Sequence, residues 1–127
     1  MEPKKTIVVV DDDPNTQSIV ENILLGSGYV VQCLSSGQEL LNRLDKERPA
    51  LVILDIVMPG MDGLEVLQRI KGNPDTSFIP VVLLTGKGRD EDVLLGYQLG
   101  TDYYITKPFT GTQLIHGIHL LLGNSSS

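Results

Sequence analysis

Two four-residue runs, Ile7–Val10 and Leu51–Leu54, contain only branched aliphatic side chains. A strand with one wet face alternates apolar and polar residues, whereas a strand without alternation suits the centre of a sheet covered on both sides. Around these runs, apolar β-rich segments alternate with amphipathic ones along the whole chain. Strands are expected at Thr6–Asp11, Tyr29–Leu34, Ala50–Asp55, Pro80–Thr85 and Asp102–Ile105. Helices are expected at Pro14–Gly26, Gln38–Glu47, Gly63–Lys71, Asp90–Leu99 and Thr112–Leu122. Five such units with short connections predict an α/β fold, a doubly wound five-stranded parallel sheet with helices on both faces.

Local signals agree. Asp13 before Pro14 reads as an N-cap followed by proline at the first helical position. Ser36 with Glu39, and Asp62 with Glu65, have capping-box spacing. Gly28 and Gly100 follow helices where a left-handed residue is often needed. The 127 residues fit one domain, expected to span residues 1–122, with 123–127 a tail or the start of a linker. No apolar run approaches the about 20 residues of a membrane span, so a cytoplasmic protein with no membrane partner is expected. The single cysteine, Cys33, cannot form a disulfide within the chain and reads as a buried, inert thiol. A net charge of −6 argues against direct nucleic-acid binding.

That acidity is concentrated. In an open parallel sheet, ligands bind beyond the carboxyl ends of the strands, and the polar residues fall there. The first strand ends in Asp11-Asp12-Asp13, the third in Asp55 and the fourth in Thr85, while the fifth runs into Lys107-Pro108. Two carboxylates about 4 Å apart repel by about 4 kcal/mol at an effective dielectric near about 20, so such a cluster calls for a hard cation. Magnesium suits it, taking oxygen ligands and keeping several waters. A nucleophilic Asp can form an aspartyl phosphate, and a hydroxyl and an ammonium can neutralise the transferring oxygens. Asp13 is accounted for by its cap. His116 and His119 lie on the last helix without a third ligand and read as solvated. The turn after the first strand lacks the glycine fingerprint of dinucleotide sites.

The segments VVVDDD, LVILDIVMPGMDG, PVVLLTG and DYYITKPF resemble the motifs of response-regulator receiver domains, over about Lys5 to Leu122. The resemblance implies the flavodoxin-like strand order 2-1-3-4-5. It implies Asp55 as phosphoacceptor, followed by the Met58, Pro59 and Gly63 loop, with Thr85 and Lys107 contacting the phosphoryl group. Magnesium ligands carry over as Asp12, Asp55 and the Val57 carbonyl, with Asp11 acting largely through water. Tyr104 matches the switch aromatic, paired with Thr85, and the Lys107–Pro108 peptide is expected to be cis. The implied function is a phosphorylation-activated switch. It takes a phosphoryl group from a sensor histidine kinase or phosphotransfer protein and alters its helix 4–strand 5–helix 5 face. An output domain or downstream protein would read that face, and a phosphorylation-linked dimer is open.

Such a protein is no enzyme beyond its own phosphorylation and self-dephosphorylation, and Val57 and Lys87, with no group to hold or deprotonate a water, predict slow decay. Three rivals share parts of the pattern. A haloacid-dehalogenase-type phosphatase would use Asp11-x-Asp13 but leaves Asp55 unexplained. A pseudo-receiver would lack site residues, and a flavin carrier needs a phosphate-cradling loop after the first strand.

Overall fold

A computed structural model describes residues 4–58, 60–86 and 90–123, without the side chains of Thr85 and residues 90–93. Pro59 and Lys87 therefore lie outside the described residues. Five strands alternate with five helices: β1 Thr6–Val10, α1 Pro14–Gly26, β2 Val30–Leu34, α2 Gly37–Leu44, β3 Leu51–Leu54, α3 Gly63–Gly72, β4 Val81–Thr85, α4 Asp90–Gln98, β5 Tyr103–Thr106 and α5 Gly111–Leu122. The strands form one parallel sheet in the order β2-β1-β3-β4-β5. The unbroken aliphatic runs are its two central strands, as their lack of alternation requires.

Each of those strands feeds two cores. Val8, Val10, Val52 and Leu54 pack with Leu40 and Leu44 of α2 and Val66, Leu67 and Ile70 of α3. Ile7, Val9, Leu51 and Ile53 face the other way, toward Val20 and Leu24 of α1 and Leu114 and Ile118 of α5. A methyl group placed on Gly96 of α4 would touch Leu83, so α4 lies on the α2–α3 side.

Caps set the helix starts. Asp13 accepts from the Asn15 N–H at 3.0 Å, Ser36 from Glu39 and Asp62 from Glu65. A full reciprocal box forms at Thr110 and Gln113, so α5 begins at Gly111, one residue before the expected Thr112. Helix α2 stops at Leu44 rather than Glu47, where the chain tightens and the Lys46 N–H donates to the Arg43 carbonyl only three residues back. Gly28 and Gly100 take positive φ angles of 91° and 102°, the left-handed conformation expected of them. Among the described residues no helix is long and apolar enough to cross a membrane.

Candidate functional site: an acidic pocket at the sheet's carboxyl rim

Parallel pairing brings two distant acids side by side. Val10 is in register with Leu54, so the residue after each, Asp11 and Asp55, leaves the sheet at the same rim. Neither belongs to its strand, yet each is still tied to the neighbouring one. The Asp11 N–H donates to the Leu34 carbonyl at 3.1 Å and the Asp55 N–H to the Val10 carbonyl at 3.0 Å. Asp11 and Asp55 are only 2% and 6% exposed, while Asp12 beside them is open to solvent. One carboxylate oxygen from each of the three lies within 4.8 Å of the others.

Lys107 reaches this pocket from the end of β5. Its ammonium lies 3.1 Å from Asp11 Oδ2 and 3.6 Å from Asp55 Oδ2. Gly86, which follows β4, leaves the stem room: a methyl group there would meet Lys107 Cβ at 3.8 Å, an ordinary contact. The Lys107–Pro108 peptide is cis, as expected. The second Asp11 oxygen accepts the Asp13 N–H at 2.9 Å. The Val57 N–H donates to Asp55 Oδ1 at 3.3 Å.

Burial pushes the Asp55 carboxyl above the ordinary range, and the charges of Asp11 and then Asp12 push the same way, while Lys107 and the Val57 N–H oppose them. A single ammonium thus does not balance three clustered acids. Oxygen donors alone, with neither nitrogen nor sulfur, fit a hard dication.

The other expected residues fall as follows. The Thr85 backbone ends β4, paired with Thr106, and its side chain lies outside the described ones. Tyr104 is half-buried in β5 against the α2–α3 core, and its ring would stand 3.8 Å from a methyl group on Gly96. Val57 is 53% exposed beside Asp55. Asp13 is occupied at the cap, accepting also from the Thr16 hydroxyl at 3.0 Å, which removes the second acid of a phosphatase-type Asp-x-Asp pair. His116 is exposed on α5. Cys33 is half-buried rather than buried, its thiol pushed up by desolvation and then by Glu21, a direction that favours the unreactive form.

Gly63 has a steric reason. A side chain there would collide with the Asp55 carbonyl oxygen and Ile56 Cα, and the Gly63 N–H donates to the Ile56 carbonyl at 2.8 Å. Sequence reasoning missed Gln17, whose side chain binds the carbonyls of Asp11 and Leu34. A glutamine on a helix carries no signal of such a task.

The profile of the response regulator receiver domain matches residues 7–119. The chain belongs to this family. Among curated proteins the receiver domain is 38% identical over 122 residues to "Probable transcriptional regulator ycf27" of Guillardia theta. That match takes in 96% of this chain and 47% of the relative, so the chain spans about half the relative's length. Among solved structures it is similar to the signal receiver domain of a signal transduction histidine kinase from Syntrophus aciditrophicus, at 35% identity and TM-score 0.87, covering 95% and 92% of the two chains. It is also similar to the Mn2+-bound form of response regulator Rcp1, at 30% identity and TM-score 0.84, covering 97% of each chain.

Proposed function

We propose that this receiver domain is a phosphorylation-activated switch that accepts a phosphoryl group on Asp55 in a Mg2+-dependent reaction. The observation that carries this reading is the convergence of Asp11, Asp12, Asp55 and Lys107 on one pocket at the rim. The donor is a phosphohistidine of a sensor histidine kinase or phosphotransfer protein. An Asp55 oxygen forms the new bond to phosphorus as the P–N bond breaks, and its electron pair stays on the imidazole nitrogen, which takes a proton from solvent. Asp12, Asp55 and the Val57 carbonyl are the metal ligands, with Asp11 acting largely through water. The cation supplies positive charge to the phosphoryl oxygens. Lys107, already ion-paired to Asp55, neutralises another of those oxygens, and the Thr85 hydroxyl donates to a third. That the similar response regulator Rcp1 has a Mn2+-bound form supports a divalent cation as the partner of these acids.

Incubation with acetyl phosphate and Mg2+ is expected to add one phosphoryl group, read by intact mass and removed by hydroxylamine. Asp55→Asn should abolish it, and undiminished labelling of that variant would refute the acceptor. The same samples report lifetime. Val57 offers no polar atom to hold an attacking water, so self-dephosphorylation is expected to take minutes or longer, and decay within seconds would refute that.

The output face is α4, β5 and α5, read by an output domain or a downstream protein in the cytoplasm, without nucleic acid bound by this domain itself. Phosphorylation draws Thr85 toward the site and lets the Tyr104 ring turn into the space it leaves. Beryllofluoride should therefore shift the amide resonances of Tyr104 and residues 90–98. Shifts confined to the acidic pocket would argue against the switch. A phosphorylation-linked dimer formed through this face would appear in the same samples as slower diffusion.

A further inference from the structure

Every polar group of Asp11 has a partner. Its N–H donates to the Leu34 carbonyl, one carboxylate oxygen accepts from Asp13 and the other from Lys107. Its carbonyl accepts from Gln17 Nε2, and the same nitrogen donates to the Leu34 carbonyl at 3.0 Å. Both partners are backbone oxygens, which can only accept, so the nitrogen end of the amide must face them. One NH2 group thus stitches together the ends of β1 and β2. Gln17 sits one turn into α1, where its own N–H donates to the Asp13 carbonyl at 3.1 Å. The helix therefore reaches back and fixes the loop that leads into it.

The peptide plane whose oxygen Gln17 holds also carries the Asp12 nitrogen. Asp12 follows directly from that plane, and one of its carboxylate oxygens lies within 4.8 Å of an oxygen of Asp11 and of Asp55. We propose that Gln17 is a positioning residue for the acidic pocket: its two amide hydrogens hold the Asp11–Asp12 peptide in the orientation that lets the three carboxylates bind a divalent cation together. This rests on the reading of the rim as a cation site. A neutral donor suits the task. A glutamate would set acceptors against acceptors, and a lysine or arginine would bring a positive charge that competes with the cation.

Mn2+ binding, followed by the electron paramagnetic resonance of the free ion, tests this on the parent, Gln17→Met, Asp12→Ala and Thr76→Val. Methionine keeps the size of glutamine and removes both donors. Thr76→Val deletes a buried hydroxyl that donates to the Ile70 carbonyl at 2.7 Å, away from the rim, and serves as a destabilised control. Loss of an outer partner of a metal ligand costs about 10–100-fold in affinity, and at this half-open site about tenfold is expected for Gln17→Met. Thr76→Val should keep the parent's affinity. A second measurement needs no variant. In 15N-labelled parent, Mg2+ should move the Gln17 side-chain amide signals with the same apparent dissociation constant as the Asp12 backbone amide, while the Gln38 side chain stays fixed.

Unchanged affinity in Gln17→Met, equal weakening in Thr76→Val, or a Gln17 signal that stays still while Asp12 titrates would overturn the positioning role and leave the cation site standing. No saturable Mn2+ binding to the parent, or binding undiminished by Asp12→Ala, would overturn the cation site and the role of Gln17 with it.

Discussion

Asp55 is held where a carboxylate is least comfortable, buried and next to another buried acid. Burial first, then Asp11, raises its proton affinity above the ordinary carboxylate value, against the pull of Lys107 and the Val57 N–H. Between the ordinary and the raised value the folded chain binds more protons than the unfolded one. Stability therefore falls as pH rises through that window and stays lower above it. Asp55→Asn removes the titration. In cation-free buffer it is expected to unfold at a higher temperature than the parent at neutral pH. The gap should close as pH drops below the ordinary carboxylate range, near about 3.9. A variant less stable than the parent at neutral pH would mean that the Lys107 and Val57 contacts outweigh burial and repulsion. Gly63 acts at the same scale: the Asp55 carbonyl occupies the space where a Gly63 side chain would be, so α3 starts in direct contact with the Asp55 backbone.

Between elements, one clamp stands out at the rim opposite the acids. The Lys71 ammonium at the end of α3 donates to the Ser77 carbonyl at 3.1 Å, the Ile79 carbonyl at 2.7 Å and Asp102 Oδ2 at 2.9 Å. Asp102 Oδ2 also accepts the Val81 N–H at 2.8 Å, and the neighbouring Thr101 hydroxyl donates to the Val81 carbonyl at 3.0 Å. The start of β4 and the turn after α4 are thus fastened to α3. Lys71→Met would take the shared donor from two carbonyls and leave Asp102 with the Val81 N–H but no counter-charge, and a loss of about 1–3 kcal/mol in urea unfolding is expected. A loss well under about 0.5 kcal/mol would place the pair among solvent-screened surface ion pairs. Neither this clamp nor Gln17 was legible in the sequence, because one partner of each lies 31 or 17 residues away, the nearer partners are backbone carbonyls that no residue type marks, and lysine and glutamine are ordinary on helix surfaces. The α5 cap escaped for a local reason: Gly111 at the first helical position hid the Thr110–Gln113 pair. What could be read was whatever the chain writes locally. The two aliphatic runs marked the central strands, Asp13-Pro14 fixed the start of α1, and the acids that break each run marked the rim. Expected strands ran into Asp11 and Asp55 because both keep a strand-like N–H bond after the ladder ends.

At the scale of the whole molecule, the sheet divides the interior into two cores that share no side chain among the described clusters. Ile70 packs in one and Ile118 in the other. Each Ile→Val change is expected to cost about 0.5–1.5 kcal/mol, and the double variant should equal the sum within about 0.3–0.5 kcal/mol. Clear non-additivity in urea unfolding would show that packing changes cross the sheet. This partition has an evolutionary consequence. A volume change in one layer finds its suppressors in that layer, so the two sides of the protein can drift at separate rates. Strand β5 lies at an edge of the sheet, where α4 from one compartment and α5 from the other flank it. A lineage acquiring a new partner at that edge can therefore remodel the α5 half while the packing around Tyr104 and α4 is inherited intact.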